Sequence, residues 1–569
     1  MTYPLPNLAG GADQAGADSV FQANTKYSAA VSGLNGGKFF PEAYGAIGDG
    51  SPHPLSSRYG TLAAAQAVYS FATALTQEID YCAIQAAINA AAAAGGGVIE
   101  LGPKTYIMSA TGSTTTDTLV FPECNEYGAG ASVSMQGRGW RASVLKWNRD
   151  LGSGKYAISC GNPAGTRANG LGRYAQGARY EGFWRDFHLF GPALPAGRGL
   201  TGALMSGFCW GSHRVMDRVR AFRFYAGWDI VGDHTTFTEL GFENCYYGIY
   251  FNETSQYYWG DLAFTGVRSG GHSMASIGVH PNGTIVNSVF TNLFMGIAPY
   301  GIFKEAGGPA SDIIFGCKFT NCIAEGVGNA LIHDDNATKN AYIAYVDFDM
   351  FFFFFSDAQL LTSNGRTRRA MIDVEGMSYI SFSNMRETQQ WWPGSNPPSQ
   401  GVFSVLAGVS VSFKGDMETM FGSVPEGKFI ANAGNDTIAT WQWEHLGRRG
   451  GYFAKVASGN SVAQGDFLEI RSSGFGLEVG AASSNGAAMP AGIAAKGGGS
   501  GAPVPVCSWG RNVTCKLSGT VPNTGQMVRK GSAGDVVLST SAADAWIVGV
   551  AHWSDNSTSV RVNLRPLLD

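Results

Sequence analysis

A short motif recurs through the middle of the chain: Phe, one polar residue, then Asn or Gly. It reads Phe242-Glu243-Asn244, Phe264-Thr265-Gly266, Phe290-Thr291-Asn292, Phe319-Thr320-Asn321, Phe382-Ser383-Asn384 and Phe413-Lys414-Gly415. The first four Phe stand 22, 26 and 29 residues apart, and Asp347-Phe348-Asp349 falls 29 residues after Phe319. A strand-like run follows the motif in the early copies: Gly248–Phe251, Ile277–His280, Gly301–Lys304 and Ala330–His333. Self-similarity at this period marks a solenoid, because one coil cannot bury its apolar side alone and must stack on its neighbours. The motif Phe then forms an internal aromatic ladder. The following Asn or Gly suits a bend, since both tolerate left-handed backbone. A propeller or sandwich would show other periods.

Composition agrees. Only 14% of the 569 residues are charged, 44% are hydrophobic, and 79 are Gly. Disordered chains carry more charge and fewer aromatics. A net charge of -4 leaves no basic footprint for nucleic acid. No apolar run is long enough to span a bilayer, and Phe351–Phe355 make a buried strand at most. The N-terminal residues have no basic start and no apolar run, so no secretory signal is expected. The nine Cys are odd in number and show no zinc-ligand spacing, which points to buried, reduced thiols and cytoplasmic folding.

Residues 1–36 are polar and Gly/Ala-rich, read as a flexible or attachment segment. Then comes Tyr44-Gly45-Ala46-Ile47-Gly48-Asp49-Gly50. From Asp80, the run Ala83-Ile84-Gln85-Ala86-Ala87-Ile88-Asn89 predicts a helix, with Asp80 as N-cap and Gly95 as its end. Val98–Leu101 and Thr105–Met108 read as strands around Gly102-Pro103-Lys104, followed by Met135–Trp140 and Ser143–Leu145. These motifs resemble the opening of the pectate-lyase-like superfamily, especially its bacteriophage tailspike members. The segment from Ser51 to Glu78 departs from the family pattern. The resemblance implies a right-handed parallel β-helix with an N-terminal capping helix, over residues 37–450. It also implies a homotrimeric tailspike of the virion, which depolymerises a bacterial surface polysaccharide (capsule, O-antigen or exopolysaccharide) and attaches to the phage tail through its N-terminus. Residues 451–569 lack the Phe motif and read as a small β domain for capping, trimerisation or glycan binding.

Alternation of side chains along a strand sorts the candidate site residues. Leu240 and Phe242 point inward, so Glu239 and Glu243 point outward; Leu262 and Phe264 point inward, so Asp261 points outward. Glu239 and Asp261 each precede a motif Phe by three residues, which predicts stacking about 5 Å apart on successive coils. Paired carboxylates are what glycosidic hydrolysis needs, one to protonate the leaving oxygen and one to attack or activate water. Glu243, Asp233 and Glu253 are alternates. A second acidic column comprises Asp233, Glu253, Glu305 and Asp334-Asp335. Trp228, Tyr250, Tyr257 and Trp259 are the expected sugar-stacking aromatics. For any single acid the plainer reading is a solvated turn residue, and an outward Trp or Tyr can equally be buried at a subunit interface. His188, His280 and His333 read as structural. Asp334 and Asp335 lack calcium-loop spacing, so no metal and no cofactor is expected. Two other classes stand beside the hydrolase. One is a polysaccharide lyase using Arg268, Lys304 or His280; the other is a non-catalytic receptor-binding spike.

Overall fold

Parallel ladders dominate the computed structural model. It describes residues 37–564 except for intervening segments, the longest being 161–177, 193–205, 360–369, 386–402, 415–429, 432–440 and 518–526. Residues 1–36, the expected attachment segment, lie outside the described residues. The chain divides into two compact units, Met1–Tyr246 and Tyr247–Asp569.

In the first unit, three ladders are visited in turn by each coil. One runs through Gly96–Glu100, Ser132–Gln136, Gly182–Arg185, Arg214–Asp217 and Thr236–Thr238. The second runs through Thr105–Ser109, Val144–Trp147, His188–Phe190, Arg220–Phe222 and Gly241–Glu243. The third runs through Leu119–Phe121, Tyr156–Cys160, Ser206–Cys209 and Ala226–Ile230. All pairings within these three ladders are parallel, as in the expected right-handed β-helix. Alternate side chains fill the interior. Ile99, Met135, Trp184, Met216 and Phe237 follow one another in register and are buried.

The helix expected near residue 80 spans Ile79–Ala93, with Gly95 at φ 84° just past its end. Asp80 is not its N-cap: Glu78 holds that place. The Asp80 carboxylate instead accepts from the N–H groups of Ile47, Gly48 and Ile107. It thereby ties the glycine-rich loop and the first coil to the helix, a bond between distant segments that helix-start rules cannot anticipate. Within the departing segment, Leu62–Val68 forms a short helix capped by Thr61.

The second unit repeats the pattern, and here the aromatic ladder is explicit. Phe264, Phe290, Phe319, Phe348, Phe382 and Phe413 stack in order, with ring centroids 4.7, 4.5, 5.1, 5.1 and 5.1 Å apart and interplanar angles of 15° or less. Offset stacking adds about 0.5–1.5 kcal/mol per pair beyond area burial. Ile249, Ile277, Ile302, Ile332 and Ile372 make a second interior ladder. The residues after the motif take the left-handed bend: Gly266 at φ 68°, Asn292 at 54°, Asn321 at 51° and Asn384 at 52°. Beyond Trp441–His445, which runs antiparallel to Arg449–Val456, pairing is mostly antiparallel, although Arg449–Val456 also pairs in parallel with Glu478–Ala481. Antiparallel strands follow, including Pro503–Lys516, Ile547–Asn556 and Ser559–Leu564. They enclose a separate apolar cluster with Val456, Leu468, Val479, Val504 and Val506.

Candidate functional site

The bends between ladders decide where the acids sit. In the first unit, Asp186 (φ 62°), Arg218 (φ 51°) and Glu239 (φ 51°) occupy one left-handed corner on successive coils. Each links a strand of the first ladder to one of the second. Left-handed backbone with an ordinary side chain is uncommon and costs about 1 kcal/mol or more. Three charged residues occupy this outward corner.

Arg218 binds both neighbours. Its Nε and Nη2 donate to Asp186 at 2.7 and 3.1 Å, and its Nη1 lies 2.5 Å from Asp217 Oδ2. Asp217 ends the strand Arg214–Asp217 and pairs with Thr238, next to Glu239. Its Oδ1 is buried and accepts no hydrogen bond among the described residues. Burial raises the Asp217 pKa above the usual carboxylate value; Arg218 opposes this, while Asp186 and Glu239 add to it. The corner thus holds three carboxylates and one guanidinium, with the Asp217 pKa raised by burial. Glu239 and Glu243 are both exposed, as alternation predicts. Glu243 accepts from Arg220 at 2.9 Å.

Sequence reasoning missed Asp186, Asp217 and Arg218. The signal was present: each corner residue is followed by an inward apolar residue (Phe187, Val219, Leu240) and then an outward one. The inward position of the next strand, however, holds Leu189 and Ala221 before it holds Phe242. A search keyed on Phe therefore stops at residue 242.

Asp261 belongs to the second unit, where it is an exposed corner residue at φ 57°. Asp233, Glu253 and Tyr257 lie outside the described residues, and Trp259 is placed only as part of the strand Trp259–Gly260.

Two expected sugar platforms are corrected. Trp228 is 1% exposed and packs edge-on against Phe237 at 4.5 Å, because its strand turns it into the coil interior. Tyr250 is also 1% exposed. It heads a column of Tyr250, Gly278, Phe303, His333 and Asp373, on the face opposite the Ile ladder. This column is itself buried. The Tyr247 and Tyr250 rings close over Gly278, where a Cβ would come within 2.7 Å of both. Their hydroxyls donate to Glu305 at 2.9 and 2.6 Å. Glu305 therefore anchors a packed aromatic layer.

Asp334 of the second column is also engaged. Asp334 accepts from Asn336 N and Nδ2, Asn340 N and Ala341 N, which makes it the organiser of a turn. His333 Nδ1 lies 2.8 Å from Asp373 and its ring stacks on Tyr300 at 4.8 Å. Lys304 is fully buried, its Nζ held by Ser311 Oγ. Among the described residues, no three His, Cys, Asp or Glu side chains gather as a metal site. Burial pushes the thiols of Cys245, Cys317 and Cys322 up to about 12, so they are uncharged at neutral pH. No helix among the described residues is long and apolar enough to cross a membrane.

Coils with charged left-handed corners define the class: a parallel β-helix with an acidic outer edge. No protein-family model matches the sequence, and no curated protein matches it. Solved structures do. The Dettilon tailspike protein gp208 is 10% identical, over 93% of this chain and 91% of that one, with a TM-score of 0.42. The tailspike protein gp49 from Pseudomonas phage LKA1 is 15% identical, over 66% and 70%, with a TM-score of 0.35. The catalytic domain of a GH87 α-1,3-glucanase is 12% identical, over 58% and 62%, with a TM-score of 0.30.

Proposed function

We propose that the chain is a tailspike depolymerase, an endo-acting glycoside hydrolase that binds and cuts a bacterial surface polysaccharide. One observation carries the reading: three carboxylates gather around Arg218 on an outward corner, and burial raises the pKa of Asp217 among them. A general acid must hold its proton at working pH, and burial beside like charges is how a carboxyl does so. Asp217 is assigned the proton donor. Glu239 is the second carboxylate, acting on the sugar or on water, and Arg218 is a positioning residue. The opening motifs and the coil period support a homotrimeric virion spike joined to the tail through residues 1–36.

The test uses host polysaccharide and the purified protein. New reducing ends without new ultraviolet absorbance mark hydrolysis. Absorbance from an unsaturated sugar would mean a lyase, and binding without shortening a receptor-binding spike. Asp217→Asn and Glu239→Gln should each lower turnover by roughly 100-fold or more while leaving the melting temperature near that of the parent. Undiminished cleavage by Glu239→Gln would overturn this assignment.

A further inference from the structure

Next to the acidic corner, two residues further along each coil, lies an outward face of different character. On the second ladder of the first unit, His188, Arg220 and Gly241 follow in register, and so do Lys146, Phe190, Phe222 and Glu243. All except glycine project away from the buried Leu145, Leu189, Ala221 and Phe242. Trp140 joins them from the preceding turn.

Cations here rest on rings. The Arg220 guanidinium sits 3.7 Å from the centroid of the Trp140 ring, and Arg141 sits 4.5 Å from it. Arg223 lies 4.9 Å from Phe222 and 5.5 Å from Phe190; Lys146 lies 5.9 Å from Phe190. Of these four cations only Arg220 has a carboxylate partner, Glu243, among the described residues. Arg141, Lys146 and Arg223 remain without acidic partners there, in a chain whose net charge is -4. Aromatic support orients a guanidinium without neutralising it, so its planar fork stays available to an anion. His188, packed 6.5 Å from Trp140, is pushed down to about 4 by burial and by Arg220; it is a neutral donor–acceptor at working pH.

We infer that this cation-on-aromatic face is a subsite for an acidic sugar, one bearing a carboxylate, within the polysaccharide bound at the neighbouring corner. The inference rests on the polysaccharide reading of that corner. The sugar's carboxylate takes Arg141 or Arg223 as a forked donor. Its apolar ring face lies on the exposed part of Phe190 and Phe222, whose centroids are 5.0 Å apart. The glycan handled by this protein is therefore an acidic one.

The experiment is an array of purified bacterial surface polysaccharides, acidic and neutral, each also presented after reduction of its carboxyl groups to alcohols. Full-length protein is compared with Arg141→Ala/Arg223→Ala and with Trp140→Ala. Thermal melting checks that each variant is folded, and the double variant keeps the test open if Trp140→Ala is not. The bound polysaccharides should carry carboxylates. Carboxyl reduction should weaken binding at least 10-fold, the double variant should lose at least 10-fold on the unreduced glycan, and added salt should weaken binding in the parent. Binding of neutral or reduced polysaccharides at undiminished strength would overturn the acidic subsite and leave the polysaccharide reading intact. No binding to any member would overturn both. A change of oligomeric mass in the double variant would make the face a subunit contact, which also overturns the inference.

Discussion

Glu239 holds a backbone conformation that Asn or Gly adopts at less cost, at φ 51°. The bend before the motif strand holds Asp186 and Arg218 on other coils of the first unit, and Asp261, Asn287, Gly316, Tyr345 and Tyr379 in the second. A residue retained against local preference is a natural candidate for function. Glu239→Asn should therefore raise stability by a few tenths to about 1 kcal/mol in urea unfolding while abolishing polysaccharide cleavage. A stability loss, or retained cleavage, would count against the assignment. At this scale the sequence disclosed which way Glu239, Glu243 and Asp261 face. It did not disclose that Arg218 would clamp Asp186, because that contact joins residues on different coils.

At the scale of elements, the aromatic ladder and the capping helix make separate predictions. Phe319 stacks on Phe290 and Phe348 and is fully buried. Phe319→Ala should cost about 3–5 kcal/mol, read as a lower urea midpoint; a loss under 1 kcal/mol would mean the ladder collapses freely around the gap. The helix start holds Glu78, raised to about 7 first by burial and then by Asp80 and Asp117. Asp117 itself is raised to about 6 by burial. A carboxyl whose folded pKa exceeds its unfolded one contributes most below the unfolded value, near 4.5 for Glu78, and that contribution is lost as pH climbs to about 7. Glu78→Gln can still accept from the His53 N–H. Its melting temperature relative to the parent should rise between pH 4.5 and pH 8; a constant difference would show that Glu78 does not titrate in the folded protein. The helix and its glycine end were legible from local rules. The true partners of Asp80 were not, since they lie 27 to 33 residues away.

For the whole molecule, the nine cysteines predict a redox character. Cys82, Cys317 and Cys322 are free, buried thiols, and burial also raises the Cys245 and Cys515 thiols. A thiol-reactive dye should leave these buried thiols unmodified in the native protein and titrate nine thiols after denaturation without reductant. Fewer than nine would reveal a disulfide.

What the sequence by itself determined is what repeats along the chain: the coil period, the inward Phe positions, the Asn and Gly bends, and the alternation that sends Glu239 and Asp261 outward. These follow from local sterics and from the need of each coil to bury one side, so they are written at every turn. Tertiary structure alone decided which side chains meet across coils and which outward faces are covered. It drew Asp217, Arg218 and Glu239 into one corner, set Arg220 on Trp140, and hid Trp228 and Tyr250. The physical reason is register: alternation assigns a side to each residue, but only the stacking of one coil on the next assigns it a neighbour.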